Sequence, residues 1–551
     1  MTTAAVPARH ASPPTGGTGA LVGFGPLLRF YLRVSRLRLT LWIVGLTLLN
    51  VLTAAAFPDL YPDAASRQER AALMDSSPAS ITFSGPGFGI DDYTFGAMMT
   101  NEMLGFMAVV IAIMAVFLVV RHSRADEETG RTELIRAGIV GRHAPAAAAL
   151  TVGVGASLAV GLLSAVGLAS SGVESLTWTG SFLYGAALAS VGVVFAAIGL
   201  VTAQVTEHAR TASGVAGVAL GLAFVLRAIG DIGDNALRWL SPIGWAQQTA
   251  AYVLDRWWPL LLPLGLTVLL VALAVMFNAR RDVGAGLVQA RPGSATGSEA
   301  LGTPLGLAIR LQRGAVIAWG LAMVAFGGVY GSLMNEVETF ASDNEAVMDI
   351  LGDTAGAALV DAFLATIVGL LAMLVGIFVV QAVLRIRSEE TSGRAEPVLA
   401  SSVSRIGWAL PHIAIAVAGG AVITMLSVAA LGGSGAAVLG WSNAFTDALA
   451  AGAANLTALL VVIGVAVALV GWAPRFAAVS WFFVGWAILV GMLGPLLQLP
   501  QWAMNLSPFE HVPAIPAEPM SWTALIILTA LGLGLTVAGL VGLRRRDVYT
   551  I

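Results

Sequence analysis

Apolar runs long enough to cross a bilayer recur along the whole chain, separated by short polar stretches. A helix needs about 20 apolar residues to span the hydrocarbon. Six such runs stand near 38–56, 103–120, 146–168, 179–204, 211–229 and 259–278, and six more near 314–333, 361–384, 410–432, 446–471, 477–497 and 522–543. The pattern predicts an all-α polytopic membrane protein with twelve transmembrane helices. Residues 1–25 carry no apolar run and are expected to form a disordered cytoplasmic tail ahead of an uncleaved first span.

Composition narrows the class. The 551 residues are 57% hydrophobic and only 11% charged, with a mean hydropathy of +0.84, against about 25% charge in a soluble domain. No cysteine is present, which excludes a disulfide framework and a thiolate metal site. All 29 basic residues are Arg. A Walker A loop needs its Lys on the β- and γ-phosphates, so this chain carries no orthodox P-loop. With the N-terminus inside, 24 of the 29 Arg fall in cytoplasmic segments, and only Arg67, Arg70, Arg227, Arg238 and Arg256 outside. That bias places both termini in the cytoplasm. Basic residues spread over topology-setting loops give no nucleic-acid surface.

The polar stretches repeat. "EETGR" (127–131) returns as "EETSGR" (389–394), "IVGR" (139–142) as "SVSR" (402–405), "LSPIGW" (240–245) as "LSPFEH" (506–511), and "RRDV" (280–283) as "RRDV" (545–548). The offset stays between 262 and 266 residues. Six spans per half is an even number, so the halves are expected as parallel repeats about an axis along the membrane normal. The expected organisation is a tail at 1–25, a first six-helix half at 26–278, a cytoplasmic linker at 279–303 and a second six-helix half at 304–551. "PLLRFYLRVSRLRL" (26–39) reads as an amphipathic, Arg-faced segment suited to the interface, with a shorter echo at 304–314.

Each copy of the repeated loop lies between the second and third spans of its half. Thr129–Gly130 and Thr391–Ser392–Gly393 supply a turn, and "RTELIRAG" and "RAEPVLAS" then offer a helical turn or two. Topology alone requires Arg, yet Glu127, Glu128, Glu133, Glu389, Glu390 and Glu396 recur as well. A short helix bearing acids and a few apolar residues suits docking onto a cytoplasmic domain.

This loop resembles that of ABC-2 type exporter permeases, where a Glu-Glu–x–Gly-Arg–x–Glu stretch with a "SVSR"-like end precedes the third span. Two fused six-span units resemble actinobacterial permeases of polyketide-antibiotic (tetronasin-type) and multidrug exporters. The resemblance covers nearly all the chain past residue 26 and implies a type II, ABCG-like exporter fold in the plasma membrane. It implies an ATP-driven permease subunit, no enzyme itself, exporting hydrophobic antibiotics or drugs by alternating access. No cofactor is expected on this chain; ATP and Mg would sit on two copies of a separate ABC ATPase. Coupling residues by this analogy are Glu127, Glu128, Arg131, Glu133, Arg142, Glu389, Glu390, Arg394, Glu396 and Arg405. The second and fifth spans of each half would line the path, through Phe106, Met107, Met114, Phe117, Phe224, Phe363, Met373, Phe378, Phe482 and Trp486; Met and aromatic side chains adapt to varied apolar ligands. The span interiors read as nearly free of charge, with Arg227 near an end. His122, His143, His208 and His412 read as interfacial loop residues. The alternative is an ion-driven multidrug transporter of the major facilitator type, also built from two six-span halves, which normally buries ionisable groups at mid-membrane.

Overall fold

The computed structural model describes residues 19–75, 81–82, 85–136, 138–281, 286–288, 296–343, 355–441, 443–493 and 500–547, and among them there is no strand. The chain divides into two compact units, Met1–Pro292 and Gly293–Ile551. In the first, the long helices are α1 (Phe24–Leu60), α2 (Phe95–Glu128), α3 (Ala144–Ala169), α4 (Trp178–Val205), α5 (Ala209–Ile232) and α6 (Trp258–Arg280). In the second they are α7 (Pro304–Ser332), α8 (Ala355–Thr391), α9 (Arg405–Leu439), α10 (Asn443–Trp472), α11 (Val479–Leu493) and α12 (Trp522–Arg545). Eleven described helices are long and apolar enough to cross a membrane; the chain is a multi-pass membrane protein. The run expected at 477–497 forms the 15-residue α11, and residues 494–499 lie outside the described set.

The neighbour pattern is the same within each unit. The first long helix packs on the third, the third on the fourth, the second on the fourth and the fourth on the sixth. Without a hydrophobic drive between helices in lipid, close approach depends on small residues. Gly464 and Gly471 of α10 meet Gly532 and Gly539 of α12 backbone to backbone, so a Cβ at Gly464 would lie 2.6 Å from the Gly532 carbonyl oxygen.

Side-chain caps set several helix starts, each satisfying an amide that the helix leaves open. Thr177 accepts from Gly180 N at 3.1 Å, Thr303 from Gly306 N at 3.1 Å and Ser404 from Gly407 N at 3.0 Å. The amphipathic segments are not separate elements. Residues 26–39 belong to the unbroken 37-residue α1, and residues 304–314 begin α7. Tyr31, Ser35 and Leu39 form the inward face of α1, while Arg29, Arg33, Arg36 and Arg38 are exposed or half-buried. α2 contains π turns at both ends, Met99–Met103 and Arg121–Ala125, and such bulges often mark functional positions.

Candidate functional site

The repeated loops fold alike. α2 ends at Glu128; Gly130 takes a left-handed φ of 71°, and a short helix follows over Arg131–Arg136. α8 ends at Thr391; Gly393 takes φ 70°, and a short helix follows over Ala395–Leu399. A left-handed turn is what Gly supplies at no steric cost. The side chains of Leu134 and Ile135 lie outside the described set.

Five polar contacts recur at these loops at a fixed offset of 263, with partners at the end of the sixth helix offset by 265 or 266. Arg124 Nη1 donates to Glu127 Oε2 at 2.8 Å, and Arg387 Nη1 to Glu390 Oε2 at 3.2 Å. His122 lies 3.8 Å from Asp126, and Arg385 2.7 Å from Glu389. Arg131 reaches Asp126 at 3.3 Å, and Arg394 reaches Glu389 at 3.0 Å. Arg281 Nη2 donates to Glu127 Oε1 at 2.6 Å, and Arg546 Nη2 to Glu390 Oε1 at 2.6 Å. Arg142 donates to the carbonyls of Asn278 and Arg281, both at 3.0 Å, while Arg405 donates to those of Arg544, at 3.4 Å, and Arg546.

This geometry corrects the register read from the letters. "DEETGR" (126–131) superposes on "EETSGR" without an insertion, so Glu127 is the counterpart of Glu390 and Asp126 of Glu389. Glu128 corresponds to Thr391. Asp126, Arg124, Arg281, Arg387 and Arg546 were missed as site residues. The signal was available: the loop motif and "RRDV" occur together in both halves.

The expected coupling residues fall into two groups. Glu127, Glu389 and Glu390 are turned inward; Glu390 is fully buried and Glu389 5% exposed. Arg142 and Arg405 hold the sixth helix of their own unit. Arg131, Glu133, Arg394 and Glu396 are exposed, and they form the outer face. Glu128 is exposed but engaged, for its Oε1 accepts from Ala209 N at 2.9 Å and lies 3.0 Å from His208 Nδ1 at the start of α5.

In the first unit the bonded cluster extends further. Arg281 Nε donates to Gln204 Oε1 of α4 at 2.6 Å, and Arg124 Nε to the Glu207 carbonyl at 2.7 Å. The loop-side ends of α2, α4, α5 and α6 thus meet at one network. His122 and His412 are not loop residues. Both are buried in helices, His122 bonded to Ser35 of α1 at 2.6 Å and stacked on Tyr31, His412 bonded to Gln312 of α7 at 2.9 Å. Among the described residues no group of His, Asp and Glu could hold a metal ion.

The expected pathway residues do not share one face. Met107, Met114 and Phe378 are buried inside their own units and Met373 is 9% exposed, whereas Phe106, Phe117 and Phe482 are exposed on them. Phe224 and Phe363 are half-buried. Trp486 stacks on Phe482 and donates Nε1 to the Ala503 carbonyl at 3.1 Å.

Nor is the first unit free of internal charge. Arg227 lies within α5 and is fully buried; its Nη1 donates to the Thr82 carbonyl at 2.7 Å, its Nε stands 3.7 Å from Asp231 Oδ2, and Phe224 lies under its guanidinium. Around it, described residues between α1 and α2 are bonded to the start of α2. Arg70 pairs with Glu102 at 2.9 Å, Tyr93 donates to Glu102 at 3.3 Å, Asn101 bonds both backbone groups of Phe88, and Thr100 donates to the Ala251 carbonyl at 2.7 Å. Burial raises the Tyr93 phenol above its usual range, and the Glu102 charge adds to this. Burial is the largest single influence on the Arg70 guanidinium and works against it, yet the bond to Glu102, the Glu102 charge and the nearby Tyr61 and Tyr93 together lift the group above its ordinary value.

Comparison with known proteins adds two findings. The family model described as "Multidrug efflux system permease Rv1217c, C-terminal domain" matches residues 26–277 and 301–544. The multidrug efflux system permease protein Rv1217c of Mycobacterium tuberculosis (strain ATCC 25618 / H37Rv) is 39% identical over 547 residues, covering 98% of each chain.

Proposed function

The chain belongs to the multidrug efflux system permease family, and on that premise we propose that it is the permease subunit of an ATP-driven exporter of hydrophobic compounds such as antibiotics and drugs. It works in the bacterial plasma membrane with both termini in the cytoplasm. A separate ABC ATPase, in two copies, supplies ATP, Mg and hydrolysis, since a chain without Lys has no P-loop of its own.

The observation that carries this reading is the pair of loops. Each presents an exposed face of mixed charge, Arg131 and Glu133 in one and Arg394 and Glu396 in the other, over an inner carboxylate bonded into its own unit. A surface loop that only marked topology would have no need of such an anchor. ATP binding closes the ATPase dimer, draws the two loops together and carries the two halves from an inward-open to an outward-open state. Adaptable apolar side chains on the second and fifth spans meet the cargo.

The test is co-purification of the full chain from native membranes, followed by drug efflux in cells. A P-loop ATPase should be recovered, and efflux should stop when ATP is depleted while the proton gradient is kept. Export by the purified chain alone on an ion gradient overturns the proposal.

A further inference from the structure

The outward-facing charges suffice for docking, so the inward-facing carboxylates call for a separate explanation. Glu127 and Glu390 are each held by two guanidiniums, one from the same helix and one from the last turn of the sixth helix or the residue after it. Distances run from 2.6 to 3.2 Å. Arg142 and Arg405 add a second tie at the far end of each loop, to carbonyls at the same place. Sequence separations of 139 to 156 residues make these long-range contacts, and two independent copies use the same atoms. Ion pairs of this kind contribute little to net stability when compared with apolar replacements, and a defined geometry is one use they serve.

We infer that Glu127 and Glu390 are positioning residues that fasten each cytoplasmic loop to the end of the sixth helix of its own half, so that displacement of the loop moves that helix as one body. The first half adds a second fastening, from Glu128 to the start of α5, with no counterpart among the described residues of the second half, where Thr391 stands in its place. There the Thr391 hydroxyl returns to its own helix, to the Arg387 carbonyl at 3.0 Å. The two halves therefore respond unequally to the same push: one loop drives two helices, the other drives one.

The inference rests on the reading of the loops as docking points, and the experiment separates the two. The chain has no cysteine, so spin labels can be placed at will in the full chain in lipid nanodiscs. Labels at Glu133→Cys and Arg280→Cys report the first fastening, and labels at Glu396→Cys and Arg545→Cys the second. Both pairs should give a narrow distance distribution that broadens with Glu127→Gln or Glu390→Gln in its own half only. Glu127→Asp should keep it narrow. Should Glu127→Gln fail to reach the membrane, the triple variant Glu127→Gln, Arg124→Gln and Arg281→Gln, which removes the carboxylate and both of its guanidinium partners, serves in its place.

With the co-purifying ATPase present, Glu127→Gln should retain ATPase binding and hydrolysis while export falls at least tenfold. Glu128→Gln should lower export, and Thr391→Val should not. An unchanged distance distribution, or a loss of export explained wholly by lost ATPase binding, overturns the inference. Failure to recover any ATPase overturns the proposed function alone, because the label distances need no ATPase.

Discussion

The loop-bearing ends and the opposite ends of the two halves diverge to different degrees. At the loop-bearing end the carboxylates Glu127 and Glu390 meet the same arginines, down to which guanidinium nitrogen meets which carboxylate oxygen. At the opposite end the first half is built from buried polar chemistry, with Arg227 and Asp231 inside a helix, residues before α2 bonded to it through Glu102 and Asn101, and Thr100 bonded to the Ala251 carbonyl. The second half has Val490 where a 263-residue offset would place the counterpart of Arg227, and its "LSPFEH" continues into Val-Pro-Ala where the first half has Ala-Gln-Gln. The difference teaches that the repeat is kept where a common partner would touch both halves, and is relaxed where each half meets its own surroundings.

The largest effect should come from the end of the first half opposite its loop. Removing one member of a buried ion pair costs about 3–5 kcal/mol, because the other is left uncompensated. Arg227→Ala strands Asp231 and frees the Thr82 carbonyl, so unfolding of the purified chain should shift by that amount. Replacing both members, Arg227→Met with Asp231→Leu, should recover most of the loss. If Arg227→Ala is neutral, this end of the first half is no more polar in energy than that of the second, and the contrast is lost.

Next in size are the two sixth-helix arginines, and here the halves should agree. Arg281→Ala and Arg546→Ala each remove charge-assisted bonds to a buried carboxylate, worth about 1.5–3 kcal/mol. Thermal or denaturant unfolding should show losses within a factor of two of each other. The Arg281 change should be the larger, since its Nε also holds Gln204. A loss confined to one half would break the claim that the two halves share this pairing.

The letters of the sequence carried the helices and the repeat, because twenty apolar residues in a row and a motif recurring at constant offset are one-dimensional signals. They did not carry the pairing. "EET" matched by eye sets Glu127 against Glu389, while the folded register sets it against Glu390, because a carboxylate's role follows from the helix face it occupies rather than its neighbours in the string. Asp126 was overlooked for the same reason. Arg227 was assigned to a loop because an arginine in an apolar run costs so much in hydrocarbon that a boundary is the cheaper reading; Ile81, Thr82 and Asp231 supply the partners that make burial tolerable. The π turns that bound α2 leave no mark in hydrophobic pattern at all. The exposed coupling candidates Arg131, Glu133, Arg394 and Glu396 were legible as charges, and their separation from the inward-facing Glu127, Glu389 and Glu390 emerged only with the fold.

A smaller effect should separate the halves at the loop-bearing end itself. Glu128 caps the first amide of α5 and faces His208, an exposed contact near a helix N-terminus worth about 0.3–1 kcal/mol. Glu128→Gln should lower stability by no more than this, and less at high salt, where screening weakens an exposed charge. Thr391→Val should change it by less than about 0.5 kcal/mol, since that hydroxyl only returns to its own helix. Measured at low and at high salt, a salt-sensitive loss for Glu128→Gln beside a salt-insensitive null for Thr391→Val would place the asymmetry of the two loops in one carboxylate. Equal and salt-independent effects would mean that the loops are fastened alike, and that the inequality between the halves lies only at their opposite ends.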